Sequence, residues 1–166
     1  MGAERRILEL GVGDIDLVEG LWKEMVRHHH RVIGDRWPGR DEDEAWRMRR
    51  SQYVGWLRAG EGFLYLVRGE GALEAPLGYA FLRISKSPST LDLEQRIGDL
   101  ESLSVTAAAR GMGIGTLLLE HCRERLRAEG IGFWSLTAVA ANADAIRLYE
   151  REGFETISHN LLARVG

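Results

Sequence analysis

Between Arg110 and Thr116 the chain reads Arg-Gly-Met-Gly-Ile-Gly-Thr, directly after an apolar run and directly before residues at helical spacing. Glycines let a backbone bend sharply and approach a ligand closely. The first N–H groups of a helix lack intrahelical acceptors and lie at its positive dipole end. Together these features make a site for phosphate oxygens, and so imply an anionic cofactor. Two familiar phosphate loops do not fit. The dinucleotide fingerprint begun at Gly111 and Gly113 needs glycine where Thr116 stands, and a Walker loop needs a Gly-Lys-Ser/Thr ending that this segment lacks.

Other residues have the right types for acid–base work. Tyr149 follows Ile146 and Ala145 by one helical turn, which puts its phenol on the apolar face of a helix. It reads either as a core tyrosine or as an inward-pointing proton donor. Glu101 and its rival Asp99 lie in a strand, where a carboxylate is either a solvated group or a general base. Simple alternation puts Asp99, Glu101, Leu103 and Val105 on one strand face. His28, His29 and His30 do not suggest a metal, because adjacent helical residues point about 100° apart. Trp37, beside Asp35 and Arg36, either offers a ring face to an amine or anchors its loop. The acids Glu42, Asp43 and Glu44 suit the first turn of a helix, and Arg47, Arg49 and Arg50 after them make a face of mixed charge. Cys122, on an apolar stripe, reads as inert core.

The elements that must carry these residues alternate. A strand at Ile7–Leu10 precedes a helix capped near Asp14 and running to Arg31, a loop over Val32–Arg40 holds Pro38-Gly39, and Asp41 with Glu44 resembles a capping box opening a helix that stops at Gly60. Strands at Phe63–Arg68 and Leu77–Ser85 form a hairpin around a loop from Gly69 to Pro76. A strand at Ile97–Thr106 leads through the glycine segment to a helix with Ile114, Leu117, Leu118, Cys122 and Leu126 on one face, ending near Gly130. A strand at Gly132–Val139, a short helix at Asn142–Glu152 and a last strand at Phe154–Arg164 complete the chain. This order predicts a mixed α/β sheet with helices on its faces.

At 166 residues, 45% hydrophobic and 28% charged, the composition is that of one soluble globular domain spanning residues 1–166. Twenty-two basic against 25 acidic side chains leave a net charge of -3, which disfavours nucleic acid as a partner. A single cysteine excludes an internal disulfide and suits a reducing compartment. Neither a signal peptide nor a membrane-spanning stretch is legible near Met1 or elsewhere, so the expected location is the cytoplasm, with no membrane partner.

Arg110, Gly113 and Gly115 fit the pattern Arg/Gln-x-x-Gly-x-Gly/Ala after the strand residues Leu103-Ser-Val105, and Asn142 to Tyr149 with Gly153-Phe154 fits a second motif at the expected distance downstream. With these two motifs in order, residues 97 to 155 resemble the GCN5-related N-acetyltransferase (GNAT) family, and the earlier residues match it in layout. The resemblance implies a mostly antiparallel sheet whose fourth and fifth strands splay apart, with a strand bulge that alters simple alternation. It implies acetyl-CoA as co-substrate, its pyrophosphate on N–H groups from Arg110, Gly111, Met112, Gly113, Ile114 and Gly115 to Thr116, and its pantetheine arm along Leu103, Ser104 and Val105 and bonded by Asn142. No metal is implied. Tyr149 would then be the acid that protonates the leaving thiolate, and Glu101, with Asp99 as rival, the base. The implied activity is acyl-CoA-dependent N-acetyl transfer to a primary amine in a ternary complex, with a homodimer as the expected assembly. A non-catalytic CoA-sensing or interaction module is the second reading, and the presence of Tyr149 and Glu101 weighs against it.

Overall fold

Alternation along Pro76–Lys86 sets the layers. Tyr79 and Phe81 pack to one side of the strand and Ala80 and Leu82 to the other, and all four are fully buried. A strand buried on both faces must be covered on both faces. The computed structural model describes residues 5–69 and 75–166, and shows how that cover is built. The expected hairpin loop lies partly outside the described residues, as do residues 1–4.

In chain order the elements are β1 (Arg6–Leu10), a 3-10 segment (Val12–Val18), α1 (Glu19–Ile33), α2 (Glu42–Arg58), β2 (Gly62–Arg68), β3 (Pro76–Lys86) and β4 (Arg96–Val105). They continue through a 3-10 turn (Ala107–Ala109) to α3 (Ile114–Ala128), β5 (Trp134–Leu136) and α4 (Ala143–Arg151). The sheet order is β1-β2-β3-β4-β5, antiparallel except for the parallel β4–β5 pair. Helices α1 and α2 cover one face through Leu21, Trp22, Trp46 and Tyr53, the last stacked on Phe81 with ring centroids 4.0 Å apart. Helix α3 covers the other through Ile114, Leu118, Leu119, Cys122 and Leu126, with Leu148 and Tyr149 of α4 packed beside it. The mixed α/β class and the helices on both faces are therefore as the sequence predicts.

Local signals hold where the chemistry is local. Asp41 caps α2, its carboxylate accepting the Glu44 N–H at 3.0 Å. The acids of that first turn also reach α1, where Lys23 pairs with Asp43 at 2.5 Å and Arg27 with Glu42. Four expectations change. The first helix is not capped at Asp14: a 3-10 segment leads from Gly11, and the α-helix proper begins at Glu19 and runs on to Ile33, two residues past Arg31. The fifth strand shrinks from Gly132–Val139 to Trp134–Leu136, because β4 pairs with it only over Gly98–Leu100. Glu101 faces away from Leu103 and Val105, for a reason given below. The last strand, expected over Phe154–Arg164, does not form: this stretch is irregular and has no strand partner among the described residues.

Close packing ties the sheet to the start of α3 at Gly78. A methyl group there would stand 2.9 Å from Ile114 and 2.9 Å from the Ser104 carbonyl oxygen. One of these neighbours is backbone and cannot swing aside, so Gly78→Ala should lower stability by about 1–3 kcal/mol, read as a fall in the urea midpoint.

Candidate functional site

Strand β4 ends at Val105 and hands the chain to the glycine segment. Thr106 and Ala107 are gripped from α1, where the Glu24 carboxylate accepts the Thr106 hydroxyl at 3.1 Å and the Ala107 N–H at 2.7 Å. Arg110 is extended, and Gly111 (φ 74°) and Gly113 (φ 77°, ψ 12°) are left-handed. A Cβ at either glycine would meet nothing within 4 Å, so conformation and not space demands glycine at both positions. Gly115 differs: its Cβ would stand 3.0 Å from Leu148, and its bareness lets α4 close on the start of α3. Gly113 caps α3 without a side chain, and Leu117 is the residue whose N–H returns to the Gly113 carbonyl, at 3.0 Å. That leaves the N–H groups of Ile114, Gly115 and Thr116 without intrahelical acceptors at the positive end of a helix. Arg110, Gly111, Met112 and Gly113 are all exposed, so the loop is open to a ligand.

The sheet opens beside this loop. On β4, Ser102 pairs with Phe81 and Leu100 with Leu82, which leaves Glu101 as the extra residue of a β-bulge. The bulge falls one residue past the end of the β4–β5 pairing, so the edge of β4 from Glu101 to Val105 has no strand partner on the β5 side among the described residues. Its main-chain groups there are available to an extended ligand. The bulge also corrects the expected alternation. Glu101 faces α2 together with Ser102, while Leu103 and Val105 pack toward α3. Glu101 lies between two guanidiniums, with Arg49 Nη1 at 3.5 Å and Arg83 Nη1 at 3.7 Å, and stays partly exposed. Asp99 faces the same side, but its carboxylate accepts hydroxyls from Ser85 and, at 2.9 Å, from Ser135.

Side chains around the cleft are held from α1 and α2. The Tyr53 hydroxyl donates to Ser102 Oγ at 2.6 Å and lies 3.2 Å from the Tyr79 hydroxyl, while Ser104 Oγ donates to the Leu21 carbonyl at 2.9 Å. The Ser104 side chain is thus turned to α1 and buried there, away from the free edge of β4. Burial pushes the Tyr53 and Tyr79 phenols above their ordinary range, so both remain neutral donors.

Tyr149 packs against the α3-side core with Phe154 edge-on to its ring at 5.9 Å, and its hydroxyl has no hydrogen-bond partner among the described residues. Burial pushes its phenol up to about 12. Asn142 caps α4, its Oδ1 accepting the Ala145 N–H at 3.4 Å, which leaves its amide N–H groups free to donate. The structure thus gathers β4, the glycine loop and α4 into one region and puts Glu101 on the opposite sheet face from Tyr149's packing. The sequence reading misses Glu24 and Arg83 and takes Arg49 only as part of a face of mixed charge. Of these Glu24 carries a signal, as a carboxylate among the apolar residues Leu21, Trp22 and Met25 of a helix.

The remaining candidates have ordinary surroundings. Trp37 has the Arg36 and Arg164 guanidiniums at 5.5 and 5.6 Å from its ring centre, which makes it a loop anchor. Arg50 binds Asp16 through two hydrogen bonds. Cys122 is buried, its thiol pushed up to about 12 by burial, and is inert core. No helix among the described residues is long and apolar enough to cross a membrane.

Comparison with known proteins agrees with this geometry. No curated protein sequence matches the chain. In fold it is similar to a GCN5-related N-acetyltransferase from Ralstonia eutropha JMP134, with 24% identity, 98% of this chain and 100% of that one covered, and a TM-score of 0.75. An aminoglycoside N-acetyltransferase in complex with CoA aligns at 16% identity over 99% of this chain and 96% of its own, with a TM-score of 0.74. A protein from Clostridium acetobutylicum described as a predicted acetyltransferase, with acetyl-CoA, aligns at 16% identity over 98% and 97%, TM-score 0.75. At these identities the likeness is one of fold. The family assignment comes from the sequence itself, because residues 22–154 match the model of the acetyltransferase (GNAT) family: the chain belongs to that family.

Proposed function

We propose that this protein transfers acetyl from acetyl-CoA to a primary amine by direct attack in a ternary complex. The observation that carries the reading is the meeting of an open helix start at Gly113–Thr116 with an unpaired edge of β4, a shape suited to a pyrophosphate joined to an extended arm. Acetyl-CoA would supply the thioester and a thiolate leaving group. The N–H groups from Arg110 to Thr116 would bind its phosphates, β4 from Leu103 to Val105 would bond its arm, and the Asn142 amide would close on that arm. A main-chain N–H near Leu103 or Ser104 would stabilise the carbonyl oxygen as negative charge builds on it.

Two side chains then account for the protons. Glu101 would take one from the attacking amine, directly or through water, and Tyr149 would give one to the sulfur as the carbon–sulfur bond breaks. A phenol near 12 is fully protonated at neutral pH, which is the state a donor needs. As one domain over residues 1–166, in the cytoplasm, the protein needs no metal for this chemistry.

The test is CoA-thiol release across a panel of amines and N-terminal peptides. Tyr149→Phe should lower kcat about 10²-fold or more while leaving acetyl-CoA affinity unchanged. Because the Tyr149 titration is raised, the wild-type rate should show no alkaline loss from this group until pH rises well past 10. Activity unchanged in the phenylalanine variant would remove Tyr149 from the mechanism. Silence across the panel with acetyl-CoA still bound would leave a CoA-binding module without turnover.

The loop is tested separately. Gly113→Asp should weaken acetyl-CoA binding by calorimetry at least about tenfold, by strain and by repulsion of phosphate, and Gly113→Ala by less, since alanine adds strain alone, of about 1 kcal/mol.

A further inference from the structure

Charge does not balance around Glu101. Its carboxylate faces two guanidiniums, Arg49 at 3.5 Å and Arg83 at 3.7 Å, and neither has another carboxylate within ion-pair distance among the described residues. All three side chains are between one-fifth and one-third exposed, so the group is screened from water without being closed to a ligand. Each guanidinium rests on a ring, Arg49 5.7 Å from the Tyr53 centre and Arg83 4.6 Å from that of Trp56, which orders the planar forks before anything binds. Their donors exceed the acceptors present. Arg49 makes one long hydrogen bond to Glu101, and Arg83 Nε is buried without a hydrogen-bond partner. The neighbouring Asp99 is already engaged by Ser85 and Ser135.

A site with one carboxylate and two donor-rich cations, at the vertex where β4 leaves β5, is complementary to a molecule carrying both charges. Resting on the acetyltransferase reading above, we propose that the acceptor is a small zwitterion resembling an amino acid, its amine turned to Glu101 and its anionic group held on the forks of Arg49 and Arg83. A planar carboxylate suits paired guanidinium N–H groups, and a phosphonate shares the chemistry. The arginines are specificity residues here, since they hold the acceptor and leave the reacting atoms to others.

Matched acceptors decide the matter: phenylalanine against phenethylamine, lysine against cadaverine, and an aminoalkylphosphonate beside its parent amine, each followed by CoA-thiol release. Wild-type kcat/KM should favour the carboxylated member at least about tenfold, and Arg83→Gln should bring that ratio toward one through KM, with Arg83→Lys keeping part of it. A stronger phosphonate preference would name phosphonate or phosphate as the anion. Amines turned over without preference, or with the plain amine favoured, overturn the proposal and leave the transferase reading intact. No turnover in either series overturns the proposal, and silence that extends to the N-terminal peptides overturns the transferase reading with it.

Discussion

One inserted residue in β4 governs how this molecule divides its work. The strand must pair with β3 along nearly its whole length, because β3 is the buried centre of the sheet. In the proposed function it must also leave β5, because an acetyl-CoA arm lying along β4 needs an unpaired edge. A regular strand paired on one side has no reason to diverge on the other, and the bulge at Glu101 supplies that reason by bending β4 and increasing its twist one residue after the last β4–β5 pair. It also turns Glu101 and Ser102 to the same face. Ser102 thereby reaches the buried Tyr53 hydroxyl while Glu101 remains at the edge of the opening between Arg49 and Arg83. Cleft, carboxylate and hydroxyl network share one geometric cause.

The rest of the fold holds that bend in place. Ser104 is tied to the main chain of α1, and Glu24 of the same helix takes the hydroxyl and amide that follow the end of β4. These bonds fix the direction in which the chain enters the glycine loop, and therefore where the free N–H groups of α3 point. On the other face, Gly115 lets Leu148 approach, so α4 brings Tyr149 against the core beside that helix start. Stability and ligand geometry depend on the same contacts here.

What the sequence made legible follows from the range of the interactions involved. The glycine loop and most of the α3 stripe were readable because left-handed glycines and helix periodicity are decided within a few residues, although Leu117, expected on that stripe, is exposed and Leu119 is buried in its place. The bulge was not, since pairing register is set between strands, and one extra residue reverses the face of everything before it. The same reason shortens β5: Thr137 to Val139 have a strand's composition, but the β4 residues they would pair with have turned away. Residues 155–165 have a strand's pattern but no strand partner among the described residues. Arg49 stands in a run of mixed charge and Arg83 inside an apolar strand, and only tertiary packing sets one on Tyr53, the other on Trp56, and both against a single carboxylate.

These ranges also explain how one fold persists at 16 to 24% identity among its structural relatives. On the proposed reading the cofactor side is offered mainly by main-chain groups, the helix start and the edge of β4, and so would constrain sequence only at a few glycines and a cap. The acceptor side would then be made of side chains projecting from α2, β3 and β4. On that reading, selection for a new acceptor can act on the α2-facing side of the sheet while the groups proposed to meet acetyl-CoA stay fixed, because the two are built from different parts of the polypeptide.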